Sequence, residues 1–200
     1  MGNTDKFDSM ADRYENAERI KMAKIASDAL REYLIDTKNK HGMDFGCGTG
    51  LIGMNLLEEF QSMLFLDTSQ KMLQVINQKI SAQAIENAQT LCFDFETSSQ
   101  IDLQVDYIFM VHVLIHIQDF ESVLEKLYQT LNIDGHLQIV DFNHNEKVHS
   151  ELVHSGFDQN ELKGILTKIG FKDIQSKTFY AGEKLFMNQD ASLFVLDAKK

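Results

Sequence analysis

Residues 44–50 read Asp44-Phe45-Gly46-Cys47-Gly48-Thr49-Gly50, and the reading of the whole chain turns on them. They follow an apolar run over residues 40–45 with strand character and precede residues 51–60, which read as a helix. Glycine at alternate positions of such a junction permits a tight turn and lets the backbone approach a ligand with no Cβ in the way. The turn alone leaves several ligands open, because similar junctions hold dinucleotides and phosphates. A dinucleotide turn wants glycine or alanine at the sixth place, which is Leu51 here. A nucleoside triphosphate loop wants Gly-Lys-Ser/Thr, whereas Gly50 is followed by Leu51-Ile52. Both phosphate readings lose ground.

Outward from the turn, short apolar runs alternate with longer amphipathic segments, the pattern of a parallel sheet covered by helices. Residues 17–35 place Ile20, Ala23, Lys24, Ser27, Leu30 and Leu34 at helical spacing. A second strand over 62–66 ends at Asp67, and Ser69 caps a helix over 69–82 with Met72, Leu73, Val75, Ile76 and Ile80 apolar. A third strand near 89–93 ends at Asp94, and a fourth spans 105–111. A helix over 119–131 leads through the turn chemistry of Asn132-Ile133-Asp134-Gly135 to a fifth strand over 136–142. A polar stretch carrying His144, His149 and His154 precedes a helix over 158–169, which Gly170 stops. Residues 171–180 and 192–198 are two last strands with no long helical segment between them, which suits an antiparallel hairpin. The expected fold is α/β: a Rossmann-like, doubly wound, seven-stranded, mostly parallel sheet with an antiparallel last strand and helices on both faces. In such sheets ligands sit beyond the carboxyl ends of the strands, where the strand order switches, and the conspicuous acids fall at predicted strand ends.

Two hundred residues, 44% of them hydrophobic and 24% charged, suit one folded domain over 1–200. No apolar run approaches the roughly 20 residues that cross a bilayer, and the polar residues 1–14 lack the apolar stretch of a secretory signal. Cys47 and Cys92 supply neither a disulfide framework nor metal spacing. The expectation is a cytoplasmic protein with no metal site and no membrane partner. A net charge of -11 repels polyanions and argues against a nucleic-acid partner.

An acid at the head of the turn, Asp44, with glycines at alternate positions resembles the cofactor motif of the class I S-adenosylmethionine-dependent methyltransferases. The resemblance runs from about Phe7 to Lys200. Phe7-Asp8-Ser9-Met10-Ala11-Asp12-Arg13-Tyr14 is similar to the N-terminal segment of small-molecule methyltransferases of the ubiquinone/menaquinone-biosynthesis type, which folds over the cofactor. Leu114-Ile115-His116-Ile117 with Asp119 resembles the motif after strand four, and Gly156-Phe157 through Ile169-Gly170-Phe171 the late helix entering strand six. The resemblance implies an N-terminal helical lid over 1–36 on a core over 37–200, with S-adenosyl-L-methionine as cofactor. It assigns Asp44 to the cofactor's ammonium, and Phe45, Gly46, Cys47, Gly48 and Gly50 to the backbone cradle. Asp67 would accept from the ribose diol, or would simply cap the helix ahead of Ser69. Thr68 and Met72 would pack on the adenosine, although Met72 also suits the core. Asp94 would accept from the adenine amino group beside Phe95, the alternative being a loop acid. Val111 and His112 would line the methyl-donor pocket.

Methyl transfer from a sulfonium is an in-line displacement in which the cofactor brings the activated carbon, so the protein mainly aligns the acceptor and a general base is optional. Candidates for acceptor contacts are Tyr14, His112, His116 and residues 143–154. His112 and His116, four apart, would share a helical face and could bind a metal; in the family resembled, the histidine after strand four is structural and bonds to backbone. His144, His149 and His154 recur every five residues, which fits neither a helical nor a strand face, so a solvated lid is expected. The chain has no proline. It therefore lacks the Asp/Asn-Pro-Pro-aromatic motif of nucleobase amino-methyltransferases and the Pro-Cys nucleophile of cytosine C5 enzymes. The expected function is methylation of a small-molecule acceptor. The alternatives are a non-catalytic S-adenosylmethionine-binding module and a nicotinamide-dependent oxidoreductase, which Leu51 disfavours.

Overall fold

Seven strands form one sheet: β1 (His41–Phe45), β2 (Ser62–Asp67), β3 (Ala88–Cys92), β4 (Val105–Val111), β5 (Leu131–Phe142), β6 (Lys172–Phe186) and β7 (Gln189–Lys199). The computed structural model describes residues 8–97 and 102–200 and orders these strands β3-β2-β1-β4-β5-β7-β6. Pairing is parallel from β3 through β5, and β7 alone runs against its neighbours β5 and β6. The central strands read as unbroken apolar runs because both of their faces are covered. In β4, Val105, Tyr107, Ile108, Phe109 and Met110 are all buried.

Helices α1 (Ala17–Arg31), α2 (Leu51–Leu56) and α3 (Gln70–Ala82) pack Leu30, Leu56, Leu73 and Ile76 into a core on one face. On the other face α4 (Phe120–Thr130) and α5 (Gln159–Ile169) bury Leu124, Leu127, Leu162 and Leu166. Helix starts follow capping chemistry: the side chains of Asn16, Ser69, Asp119 and Asp158 accept from first-turn amides.

Four expectations need adjusting. The leading helix ends at Arg31 rather than 35, because Tyr33 and Leu34 close tighter turns onto Leu30 and Arg31 and Asp36 is left-handed (φ 49°). The helix after the glycine turn stays α-helical only to Leu56 and tightens over Leu57–Glu59, which turns Phe60 inward against Tyr107 and Phe109. The Asn132–Gly135 chemistry lies inside β5 rather than before it. The β4–β5 ladder steps from Val105↔Leu131 to Tyr107↔His136, so the extra residues bulge out with Asp134 left-handed (φ 63°). The last two strands extend well beyond 180 and 192 and meet at a two-residue turn, Met187-Asn188, with φ 48° and 64°.

Candidate active site

The strand order reverses between β1 and β4: β1 leads into α2 on one face, β4 toward α4 on the other, and a cleft opens beyond their carboxyl ends. There Gly46 (φ 67°) faces Val113, and a Cβ on Gly46 would sit 2.5 Å from Val113 Cγ2. Gly46 N and Cys47 N both donate to Leu66 O, at 2.8 and 3.1 Å. Gly48 N donates to Asp67 Oδ2 at 2.8 Å, Ser69 N to Asp67 Oδ1 at 2.8 Å, and Gly50 N to Cys47 O at 2.8 Å. Asp67 thus ties the glycine turn to the start of α3. Burial raises the pKa of Asp67, with the Ser69, Gly48 and Thr68 amides pulling the other way.

Asp44 lies behind the turn. It is buried, its Oδ2 accepts from Gly53 N at 2.8 Å, and burial pushes its pKa up to about 7 against that hydrogen bond. Gly53, which sequence reasoning passed over, is what permits this approach: a Cβ there would lie 2.9 Å from Asp44 Oδ2 and 2.4 Å from the Phe65 ring. A glycine inside a short helix was the available signal. Cys47 and Gly50 also stand behind the turn. Cys47 joins the α1–α3 core, where burial drives its thiol pKa well up, and Gly50 (φ 81°) caps α2 against Ile76 and Phe65.

A cavity of about 450 Å³ fills the cleft, within the usual range for small-molecule sites. Of the predicted residues, Tyr14, Phe45, Gly46, Gly48, Asp67, Thr68, Met72, Asp94, Phe95, Val111, His112 and His116 line it; Asp44, Cys47 and Gly50 do not. Asp94 Oδ1 accepts from Glu96 N at 2.8 Å, while Asp94 Oδ2 is buried with no partner. Phe95 stands edge-on to both Phe93 and Phe45, at 5.1 and 5.4 Å. From the N-terminal side, Tyr14 covers Gly48, and Arg19 lies over the Tyr14 ring at 4.3 Å while donating to Tyr14 O at 2.6 Å. Burial raises the Tyr14 pKa. Two contacts pin this segment to α3, Ser69 donating to Asp8 and Lys79 pairing with Glu15. Phe7 and the residues before it lie outside the described residues.

His112 follows β4 in the left-handed region (φ 55°) and stacks on Phe142 at 4.9 Å. Its Nε2 is buried without a partner, so the backbone bond expected of a structural histidine is missing at that atom. Burial, then the nearby His116, lowers its pKa to about 4, which keeps the ring neutral at pH 7. No helix carries His112 and His116 together, because the left-handed turn redirects the chain into the 3-10 turn Leu114–His116. Beneath that turn sits Asp141, an acid inside the apolar β5 run. It accepts from Phe142 N at 2.9 Å and Ile115 N at 3.3 Å, and burial raises its pKa to about 7. The histidine-bearing stretch is solvated as expected at two of its three histidines and departs from that at the third. His144 and His149 are exposed, but His154 Nε2 donates to Ile117 O at 2.8 Å and its ring packs edge-on to Phe120, which anchors the stretch. Sequence reasoning also missed Phe186 and Met187, which border the cavity from the β6–β7 turn.

Residues 43–137 match the family described as a methyltransferase domain. The malonyl-[acyl-carrier protein] O-methyltransferase of Bacillus cereus is 27% identical over 137 residues, 66% of this chain and 48% of that protein. The chain thus spans about half the length of this curated relative. Phosphoethanolamine N-methyltransferase 2 of Haemonchus contortus, solved with S-adenosyl-L-methionine, superposes with a TM-score of 0.73 at 16% identity, over 97% of this chain and 60% of that one. The [4+2]-cyclase SpnF superposes with a TM-score of 0.75 at 14% identity, over 88% of this chain and 79% of that one. At these identities the solved structures share the fold. Among the described residues no helix is long and apolar enough to cross a membrane.

Proposed function

We propose that this chain, which carries a class I S-adenosylmethionine-dependent methyltransferase domain on a Rossmann-like sheet, binds S-adenosylmethionine beside its glycine turn and methylates a small-molecule acceptor. The observation that carries the reading is the convergence of the glycine turn, Asp67 and Asp94 on one cavity of nucleoside scale.

The residues suit this cofactor better than a dinucleotide. A pyrophosphate needs free backbone N–H groups at the turn. Here the amides of Gly46, Cys47, Gly48 and Gly50 are all committed within the protein. A cofactor without phosphates makes no such demand. The Asp67 carboxylate, with the Gly48, Ser69 and Thr68 amides on it, still has acceptor capacity for a ribose hydroxyl. The orphaned Asp94 Oδ2 would gain the adenine amino group, with Phe95 and Met72 as apolar walls. Asp44, expected at the ammonium, instead supports the turn from behind: it is buried, holds Gly53 N and does not border the cavity. When bound, the cofactor supplies an electrophilic methyl carbon on a sulfonium. The chain's part is alignment and exclusion of water: Tyr14 closes one side, pinned through Asp8 and Glu15, and His112 the other.

Calorimetry with S-adenosylhomocysteine and with NAD tests the reading. The first should bind and the second should not, and Asp67→Ala should weaken the first by about 1–3 kcal/mol, the cost of an unmet buried polar partner. Unchanged affinity in that variant would remove Asp67 from the ribose. Because the fold is shared with a cyclase, turnover must be read as well. Bound cofactor with no transfer across a broad acceptor panel would favour the non-catalytic binding module.

A further inference from the structure

The cavity continues from the cofactor end into an apolar chamber, and we infer that this chamber takes an uncharged, largely apolar acceptor that presents one hydroxyl group to the His112 imidazole. The inference rests on the methyltransferase reading and narrows its substrate class.

The walls come from three separate segments. Phe186 stacks on Phe142 with ring centres 4.1 Å apart and planes 8° apart, and Phe142 stacks in turn on His112. A column of stacked rings therefore runs from the β6–β7 turn to His112. Leu152 and Met187 border the same cavity, yet they stay 60% and 54% exposed, among the most exposed large apolar side chains described. Met187 also occupies a left-handed position (φ 48°) of a two-residue hairpin turn, where Asn, Asp or Gly is the usual choice. An apolar ligand in the cavity would cover both Leu152 and Met187.

Charge and hydrogen bonding narrow the class further. Among the described residues Arg19 is the one lysine or arginine bordering the cavity, and it is committed to the ring and carbonyl of Tyr14. A carboxylate or phosphate entering the chamber would find no fixed counter-charge and would lose its hydration. His112 Nε2 is buried and unpartnered, on a ring stacked against Phe142. A hydroxyl both donates and accepts, so it complements whichever tautomer the neutral ring adopts.

Naphthalene derivatives test this on the full chain saturated with S-adenosylhomocysteine, since their fluorescence is read easily in a protein without tryptophan. 1-Naphthol should bind about three- to tenfold tighter than naphthalene, the worth of one net hydrogen bond, and at least about tenfold tighter than 1-naphthoate. His112→Phe keeps a flat ring on Phe142 and should erase the preference for naphthol over naphthalene. Met187→Asp should weaken both neutral ligands by about tenfold, the order expected for a charge set against an apolar ligand, while S-adenosylhomocysteine affinity stays level. If 1-naphthoate binds as well as 1-naphthol, or the naphthol preference survives His112→Phe, the inference is wrong. Failure of S-adenosylhomocysteine itself to bind would instead bring down the methyltransferase reading.

Discussion

The two ends of the cavity are built on opposite terms. At the adenosine end the contacts run through backbone: four amides of the glycine turn are spent on Leu66 O, Asp67 and Cys47 O, and glycines stand where no Cβ fits. At the acceptor end the walls are side chains from the loop around Leu152, the end of β5 and the β6–β7 turn, with Phe186, Phe142 and His112 stacked on one another. A backbone-wired end has one workable geometry. A side-chain-lined end can change its ligand without changing the fold, which is how one architecture serves many chemistries.

The sharpest way to break this contrast is Gly46→Ala. The added Cβ meets Val113 at 2.5 Å, and φ 67° is itself unfavourable for alanine. Overpacking and backbone strain together should cost about 3 kcal/mol, read as a drop in urea midpoint at constant m-value, with loss of S-adenosylhomocysteine binding. Adding Val113→Ala should return the packing share but not the backbone share. A single variant as stable as the parent would show that the turn can yield.

Each end also rests on a buried acid, and these differ in their consequences. Asp44 holds Gly53 N under the glycine turn; Asp141 holds Ile115 N and Phe142 N under the loop that carries His112 and His116. Burial raises both to about 7 from 3.8. The native state thus keeps a proton that the unfolded chain has released. The stability of the protonated form is complete below about pH 4 and drains away as pH rises through 7. Asp141→Asn removes that drain, so its stability relative to the parent should improve by about 2 kcal/mol between pH 5 and pH 7. Urea titrations at several pH values check it, and a difference that is flat with pH, or of opposite sign, would mean that the Phe142, Ile115 and Leu114 amides around Asp141 outweigh its burial. Asp44→Asn should show the same slope but also touch cofactor affinity, which separates the two ends.

The same contrast decides what was legible in the sequence. Strands β1 to β4 and the start of α3 could be read because apolar runs, alternate glycines and strand-end acids mark backbone requirements directly. Asp67 and Asp94 could be picked out on that basis, and the structure brings them to one cavity. Asp44 could be found but not its depth, since only packing shows that Gly53 and Phe65 wall it off. The acceptor end was hidden for a different reason. Phe142, Leu152 and Phe186 are ordinary apolar residues in their own segments and acquire meaning only through the sheet order that sets β7 between β5 and β6. The turn at Met187-Asn188 escaped because methionine is not a turn residue, so the strands appeared to stop short at 180 and 192.

That misfit supplies the smallest and most discriminating test. Asn tolerates left-handed backbone where Met is strained, so Met187→Asn relieves the turn without adding bulk or charge. Stability should rise by about 0.5–1 kcal/mol, as turn-optimising substitutions commonly give. Apolar ligands should bind several-fold more weakly, because a thioether chain at the chamber mouth is replaced by a short amide. Cofactor affinity should not move if Met187 serves the acceptor end alone. Gain in stability with loss of acceptor binding is the signature of a residue kept for its ligand rather than its fold. Were the variant less stable, Met187 would instead be holding the hairpin through its packing, and the mouth would owe its shape to the fold alone.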